Sequence, residues 1–132
     1  MTMPEPIDAG VAHRIGQYAD AVRVPAGHDQ ILVSGTPGVA PDGTVPGDFA
    51  AEASRAWQNV VEILARAGAT LPDVIGVRQW LTSADHISAY VAVRSEFIRH
   101  EPASMLAVIP ALVRPDFRVE IEVIAARPAA KN

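Results

Sequence analysis

Glu120 and Glu122 stand two residues apart in the run Val119-Glu120-Ile121-Glu122-Val123. An extended chain sends alternate side chains to opposite faces, so this spacing directs both carboxylates to one side of a strand. Such a pair can do acid–base work on a water or a substrate, and it equally suits a solvated sheet face. Spacing alone leaves both readings open.

Other chemistries find less support. His13, His28, His86 and His100 lack the paired spacing that puts two imidazoles on one helix face or on neighbouring strand positions, so no metal site is expected. No serine lies in a G-x-S-x-G elbow, and the glycines at 35, 38, 43 and 47 lead to no Lys-Ser/Thr pair that would cradle a phosphate. The absence of cysteine excludes a thiol nucleophile, a disulfide framework and thiolate-bound metal.

The net charge is −4 and the 11 Lys and Arg are dispersed, which disfavours sequence-independent nucleic-acid binding. Residues 1–11 show neither the basic nor the apolar part of a secretory signal, and no apolar run reaches the ~18 residues of a membrane span. A soluble, cytoplasmic protein is the expectation.

The elements that must position the carboxylates follow from periodicity. With 132 residues, no internal repeat and no long linker, the chain reads as one domain over 1–132, with 1–14 as an N-terminal extension and 127–132 as a tail. Since 49% of residues are hydrophobic but only 5% aromatic, Ala, Val, Ile and Leu must build the core, which suits helices layered on a sheet.

Residues 19–24 and 30–34 read as two strands of a hairpin turning through Pro25, Ala26, Gly27 and His28. Residues 36–47, with three Pro and three Gly, read as an exposed loop. Asp48 offers an N-cap to a helix whose stripe is Phe49, Ala53, Ala56, Trp57, Val60, Ile63, Leu64 and Ala67, with Gly68 as the stop.

Residues 74–82 alternate as a third strand, with Val77, Gln79 and Leu81 on one face and Trp80 and Thr82 on the other. Ser83 caps a second helix striped by Ile87, Tyr90, Val91, Arg94, Phe97 and Ile98 and reaching His100 before Pro102. His86 and His100, at its two ends, are expected on the surface, where a charged His100 favours the helix C-terminus. Residues 105–109 and 118–125 supply the last strands.

The order is ββαβαββ, an α+β layer with two helices on one face of the sheet. The other face must be either solvated or covered by a neighbouring subunit, and oligomerisation is the natural expectation.

Short segments spread over residues 15–126 carry a family resemblance. Ile15-Gly16-Gln17-Tyr18-Ala19-Asp20-Ala21 resembles the IGPYSQA opening of the YjgF/RidA (reactive intermediate deaminase) family, and Val33-Ser34-Gly35 resembles its VSGQ strand end. Asn59-Val60 with Ala67-Gly68-Ala69, Leu81-Thr82, Pro102-Ala103 and Val119-Glu120-Ile121-Glu122 continue the series in the family's order. Each piece is made of common residue types, and their order and spacing together carry the specificity.

The resemblance implies a chorismate mutase-like, mainly antiparallel fold assembled as a homotrimer. Small molecules would bind in clefts between subunits, and enamine or imine intermediates would be hydrolysed there to a 2-oxo acid and ammonia without a cofactor. It implies that Glu120 positions the water and that Tyr18, Ser34 and Gly35 line the cleft.

The sequence departs from the family at the anchor. The PAR(S/T) segment, whose arginine grips the substrate carboxylate, appears as Pro102-Ala103-Ser104-Met105, and a serine hydroxyl cannot replace a charge-assisted fork. The second-helix asparagine corresponds to Val91, and the cleft cysteine of some members to Leu106, which makes the pocket more apolar. Arg114, before the last strand, is the first arginine considered as a substitute anchor, and Arg78 and Arg94 are further candidates on elements whose orientation the pattern leaves open. Two functions fit, a divergent enamine or imine deaminase or a non-enzymatic ligand-binding or interaction module on the same scaffold, whereas a third, an endoribonuclease or translation inhibitor of the kind older family labels suggest, conflicts with the acidic charge and ranks last.

Overall fold

The computed structural model describes residues 3–130. Six strands run in chain order: β1 (Glu5–Ile7), β2 (Ala21–Arg23), β3 (His28–Pro37), β4 (Val74–Leu81), β5 (Ala103–Val108) and β6 (Val119–Pro128). Helix α1 (Phe49–Arg66) lies between β3 and β4, and α2 (Ile87–Phe97) between β4 and β5. β1 and β2 form a small antiparallel ribbon, and the main sheet has the order β3-β6-β4-β5.

In the main sheet β6 is antiparallel to both neighbours, while β4 and β5 are parallel. That parallel pair is obligatory, because α2 returns the chain to the starting end of the sheet before β5 begins. The α+β layer with both helices on one face is therefore as the sequence reading has it.

Burial fixes the helix-facing side. Val77, Gln79 and Leu81 of β4 and Val119, Ile121, Val123 and Ala125 of β6 are all buried, whereas the residues between them on β6, Glu120, Glu122 and Ile124, are partly exposed on the opposite side. From α1, Ala53, Ala56, Trp57, Val60 and Leu64 fill the core, and Tyr90 and Val93 enter from α2. The Asp48 carboxylate accepts the Ala51 N–H at 3.0 Å as the N-cap, and Gly68, at φ +78°, takes the left-handed position beyond the C-terminus. Ile63 and Ala67, assigned to the stripe by sequence, lie outside it, and Glu52 is buried in their stead.

The expected hairpin between 19–24 and 30–34 does not form. Ala19 donates its N–H to the Pro102 carbonyl at 2.9 Å and bridges to Ala103, which fastens it beside β5. β3 lies at the opposite edge of the sheet, paired with β6 from His28 to Pro37. The chain must cross the open face between the two, so β2 pairs instead with β1. Asp20 closes that ribbon by accepting the N–H groups of Ala9 at 2.6 Å and Ala12 at 2.8 Å. The segment read as an extension, 1–14, thus supplies β1 and a turn of 3-10 helix at 12–14, and β6 runs on into the segment read as a tail.

The second helix stops at Phe97 rather than His100. Ile98 is already extended, and His100 Nε2 donates to the Val74 carbonyl at 2.7 Å. His86 is also no plain surface residue, since its ring stacks on Phe49 with centroids 4.1 Å apart.

Candidate functional site

Between Val33 and Thr36 the register of β3 against β6 shifts, so Ser34 and Gly35 together oppose Glu122. This bulge bends β3 where its open face meets Glu120. A Cβ built on Gly35 would lie 2.8 Å from both the carboxyl carbon and an oxygen of Glu120. The missing side chain at 35 is therefore what lets the carboxylate lie over the bulge. On its other flank Glu120 pairs with Trp80 of β4.

Among the described residues Glu120 has no hydrogen-bond or ion-pair partner within contact range. Partial burial, and secondarily the charge of Glu122, raise its pKa above the ordinary glutamate value. A carboxylate so placed is suited to taking a proton from water and giving it back.

Glu122 is differently engaged, receiving Arg78 Nη1 at 3.4 Å from β4. Beside this pair the open face is concave, forming a trough of about 510 Å³ lined by Val22, Leu32, Ile75, Met105 and Ile124 with Arg78 and Glu122 at its polar end. Val22 belongs to β2, so the crossing chain that replaced the hairpin makes one wall. Leu32 keeps 72% of its surface exposed there.

Ser104 borders the same trough, yet the two β5 residues singled out by sequence turn toward the helices. Ser104 pairs with Val77, and Leu106 with Gln79, both partners on the helix-covered side, and Leu106 packs against the core. Gln79 is fully buried and joins three elements: its Nε2 donates to Ser104 Oγ at 3.0 Å and to the Met105 carbonyl at 2.7 Å, while Tyr90 Oη donates to its Oε1 at 2.7 Å. Burial raises the Tyr90 pKa, so the phenol stays protonated as that donor. Val91 follows Tyr90 on α2, partly buried against the core.

One chain thus brings Ser34, Gly35 and Glu120 together but holds Ser104 and Leu106 apart from them. Ser104 lies two strands from Glu120 and three residues along, about 10 Å in each direction by sheet geometry. Tyr18 accompanies the β5 group, because its neighbour Ala19 is bonded to Pro102. Arg114 joins neither group. Its guanidinium forks onto Asp116 at 3.0 and 2.5 Å and lies 4.7 Å from the Phe117 ring, an arrangement that holds the Asp116 pKa below the usual carboxylate range.

Sequence reasoning missed Glu52. It is fully buried on α1, accepting Arg118 Nε at 2.6 Å and the Arg118 N–H at 2.8 Å. The same guanidinium donates to the Pro46 and Gly47 carbonyls at 3.0 Å, tying the loop before α1 to the start of β6. Its position three residues after Phe49, within the buried stripe, was the available signal. Among the described residues no cluster of three or more His, Asp or Glu could hold a metal, and no helix is long and apolar enough to cross a membrane.

The sequence matches the family model described as endoribonuclease L-PSP over residues 11–127. It is 30% identical over 113 residues to a RutC family protein of Pyrococcus abyssi (strain GE5 / Orsay), covering 84% of this chain and 87% of that one. It is also 30% identical over 113 residues to the RutC family protein YjgH of Escherichia coli (strain K12), covering 85% and 84%. The fold is similar to that of YyfB from Yersinia pestis, described as a conserved Rid family protein of unknown function, with a TM-score of 0.84 at 24% identity over 96% of this chain and 100% of that one.

Proposed function

Since the chain belongs to the YjgF/RidA family, we propose that it assembles as a homotrimer whose intersubunit clefts bind a small metabolite, with Glu120 placing the water for a divergent enamine or imine hydrolysis. The observation that carries this reading is the carboxylate of Glu120, partly buried, raised in pKa and laid over Gly35 with no partner among the described residues. The reading calls on assembly, because within one chain Ser104 and Leu106 lie two strands from Glu120 and turn to the helix-covered side, so the β5 edge of one subunit would meet the bulge of the next. The exposed Leu32 and Met105 on the uncovered face give such an interface its apolar area.

In the hydrolysis, water attacks the imine carbon as Glu120 accepts one of its protons. A C–O bond forms and the C=N pair moves to nitrogen, which takes the proton back from Glu120. The C–N bond then breaks, the remaining hydroxyl proton follows the nitrogen, and ammonia leaves a 2-oxo acid. No cofactor enters this scheme.

A second reading, binding without turnover, is favoured by the Ser104 hydroxyl. It is already committed to Gln79 and offers no cation at the position where the family grips a carboxylate. Generating 2-aminoacrylate with a serine dehydratase and following pyruvate release tests both. Little acceleration of this smallest substrate is expected. Rapid release lost in Glu120→Ala would overturn the role given to the missing anchor, and a solution mass of one subunit would remove the intersubunit cleft.

A further inference from the structure

We propose that His13 is a proton-dependent latch: as an imidazolium it bridges Asp8 and Glu101 and so fastens the loop of residues 8–20, which carries Tyr18, to the start of β5. The two ring nitrogens meet two different carboxylates. Nε2 lies 3.0 Å from Glu101 Oε1, and Nδ1 lies 3.4 Å from Asp8 Oδ2. A neutral imidazole carries one N–H, so it serves only one of them and turns a lone pair toward the other, whereas the imidazolium donates to both. The bridge is complete only when the ring is charged.

The place of the ring in the fold gives this chemistry its effect. The β1–β2 ribbon pairs with no strand of the main sheet. Its loop is joined to the β5 end by the Ala19 N–H bond to Pro102, the Ala19 bridge to Ala103 and the His13 contact with Glu101. Among the described residues, that contact is the single side-chain hydrogen bond or ion pair between residues 3–23 and the rest of the chain. The loop is meanwhile closed on itself. Asp20 accepts the N–H groups of Ala9 and Ala12, which hold its pKa below the usual carboxylate range, and Arg14 Nε donates to the Gly10 carbonyl at 3.1 Å. The Tyr18 ring lies against Gly16, where a Cβ would stand 3.5 Å from it. Releasing the latch therefore loosens the loop as a unit, and Tyr18 with it.

The carboxylates around the ring favour the latched form. Glu101, chiefly through its hydrogen bond, and then Asp8 and Asp20 raise the His13 pKa above the ordinary histidine value. Of the cations nearby in the chain, Arg14 is committed to Gly10, Arg99 is exposed, and His100 is turned to the Val74 carbonyl. With the folded value raised, the latch is fully formed below the ordinary histidine value and is lost as pH rises through the raised one. It does not depend on what the cleft binds, and only its effect on the cleft, through Tyr18, rests on the assembly reading.

Two measurements on the assembled protein test the latch: an NMR titration of the His13 ring, and hydrogen-exchange protection of the Ala19 amide from about pH 5.5 to about pH 8.5, corrected for the intrinsic exchange rate. His13 is expected to titrate above the ordinary histidine value, with Glu101→Gln and Asp8→Asn each lowering its pKa and Glu101→Gln lowering it more. Ala19 protection is expected to fall about two- to five-fold as pH rises through that value, the size of an exposed ion pair, and to stay at the lower level at every pH in His13→Gln. Amides of the central strand β6 should keep their protection throughout, which reports an intact sheet. Protection of Ala19 that ignores pH in the parent overturns the proposal, as does a pH dependence that survives His13→Gln or a His13 pKa at or below the ordinary value. No readout here involves hydrolysis, so failure of the latch leaves the role of Glu120 standing, and failure of the proposed reaction leaves the latch standing.

Discussion

Two glutamates lie against two glycines in this protein, and they are used in opposite ways. At the joint between α1 and the preceding loop, a Cβ on Gly38 would lie 2.2 Å from the Glu52 backbone oxygen, and the Glu52 carboxylate is wholly buried and satisfied by Arg118. At the β3 bulge, Gly35 gives the same close approach to Glu120, but to its side chain, which is left unpaired among the described residues. The first region satisfies a charge so that a loop can be anchored. The second keeps one unsatisfied, which costs stability and is expected only where the group is used.

The largest effects belong to the first region. Glu52→Ala leaves the Arg118 guanidinium, 29% exposed, without its carboxylate, and breaking such a pair costs about 3 kcal/mol, the low end for buried pairs because Arg118 reaches water. Urea unfolding at fixed protein concentration measures it. Gly38→Ala comes next, at about 2 kcal/mol, because backbone rather than a movable side chain must yield. A cost below about 0.5 kcal/mol for either would break the contrast between the regions.

Gly35→Ala is the smaller counterpart. The atoms it strikes are the far end of a flexible side chain, so the carboxylate swings away at a cost of about 1 kcal/mol or less. Hydrolysis should fall by far more than stability, because a displaced base no longer holds the water in line. Equal losses in both would make Gly35 an ordinary packing residue and sharpen nothing about Glu120.

How much of this was legible in the sequence follows the range of the forces involved. Helix α1, its Asp48 cap and its Gly68 stop are set by neighbours within a few residues, and they form where the pattern puts them. The shared face of Glu120 and Glu122 follows from strand periodicity in the same way. The hairpin failed because Ala19 is captured by Pro102, more than 80 residues on, and no local signal competes with that. The burial of Glu52 depends on Arg118, 66 residues away. Likewise the family likeness could rank Glu120 above Glu122, but that Arg114 was already engaged by Asp116 required the loop to be seen.

The smallest effect is the most direct test of the unsatisfied charge. Because the folded pKa of Glu120 is raised, the native state binds its proton more tightly than the unfolded chain does. Stability therefore falls as pH rises from the ordinary glutamate value through the raised one, and the deficit persists at neutral pH, where both states are ionised. Glu120→Gln removes the charge, so at neutral pH it should be the more stable protein, by about 0.5 kcal/mol once solvent screening of this partly exposed group is allowed for. The difference should vanish below the ordinary glutamate value, where the parent is protonated in both states. Glu122→Gln should recover a smaller part of the same gain, since repulsion from Glu122 is the lesser cause of the shift. A Glu120→Gln protein less stable than its parent at neutral pH would mean that this carboxylate is a structural partner after all, and the two glutamates would then be alike.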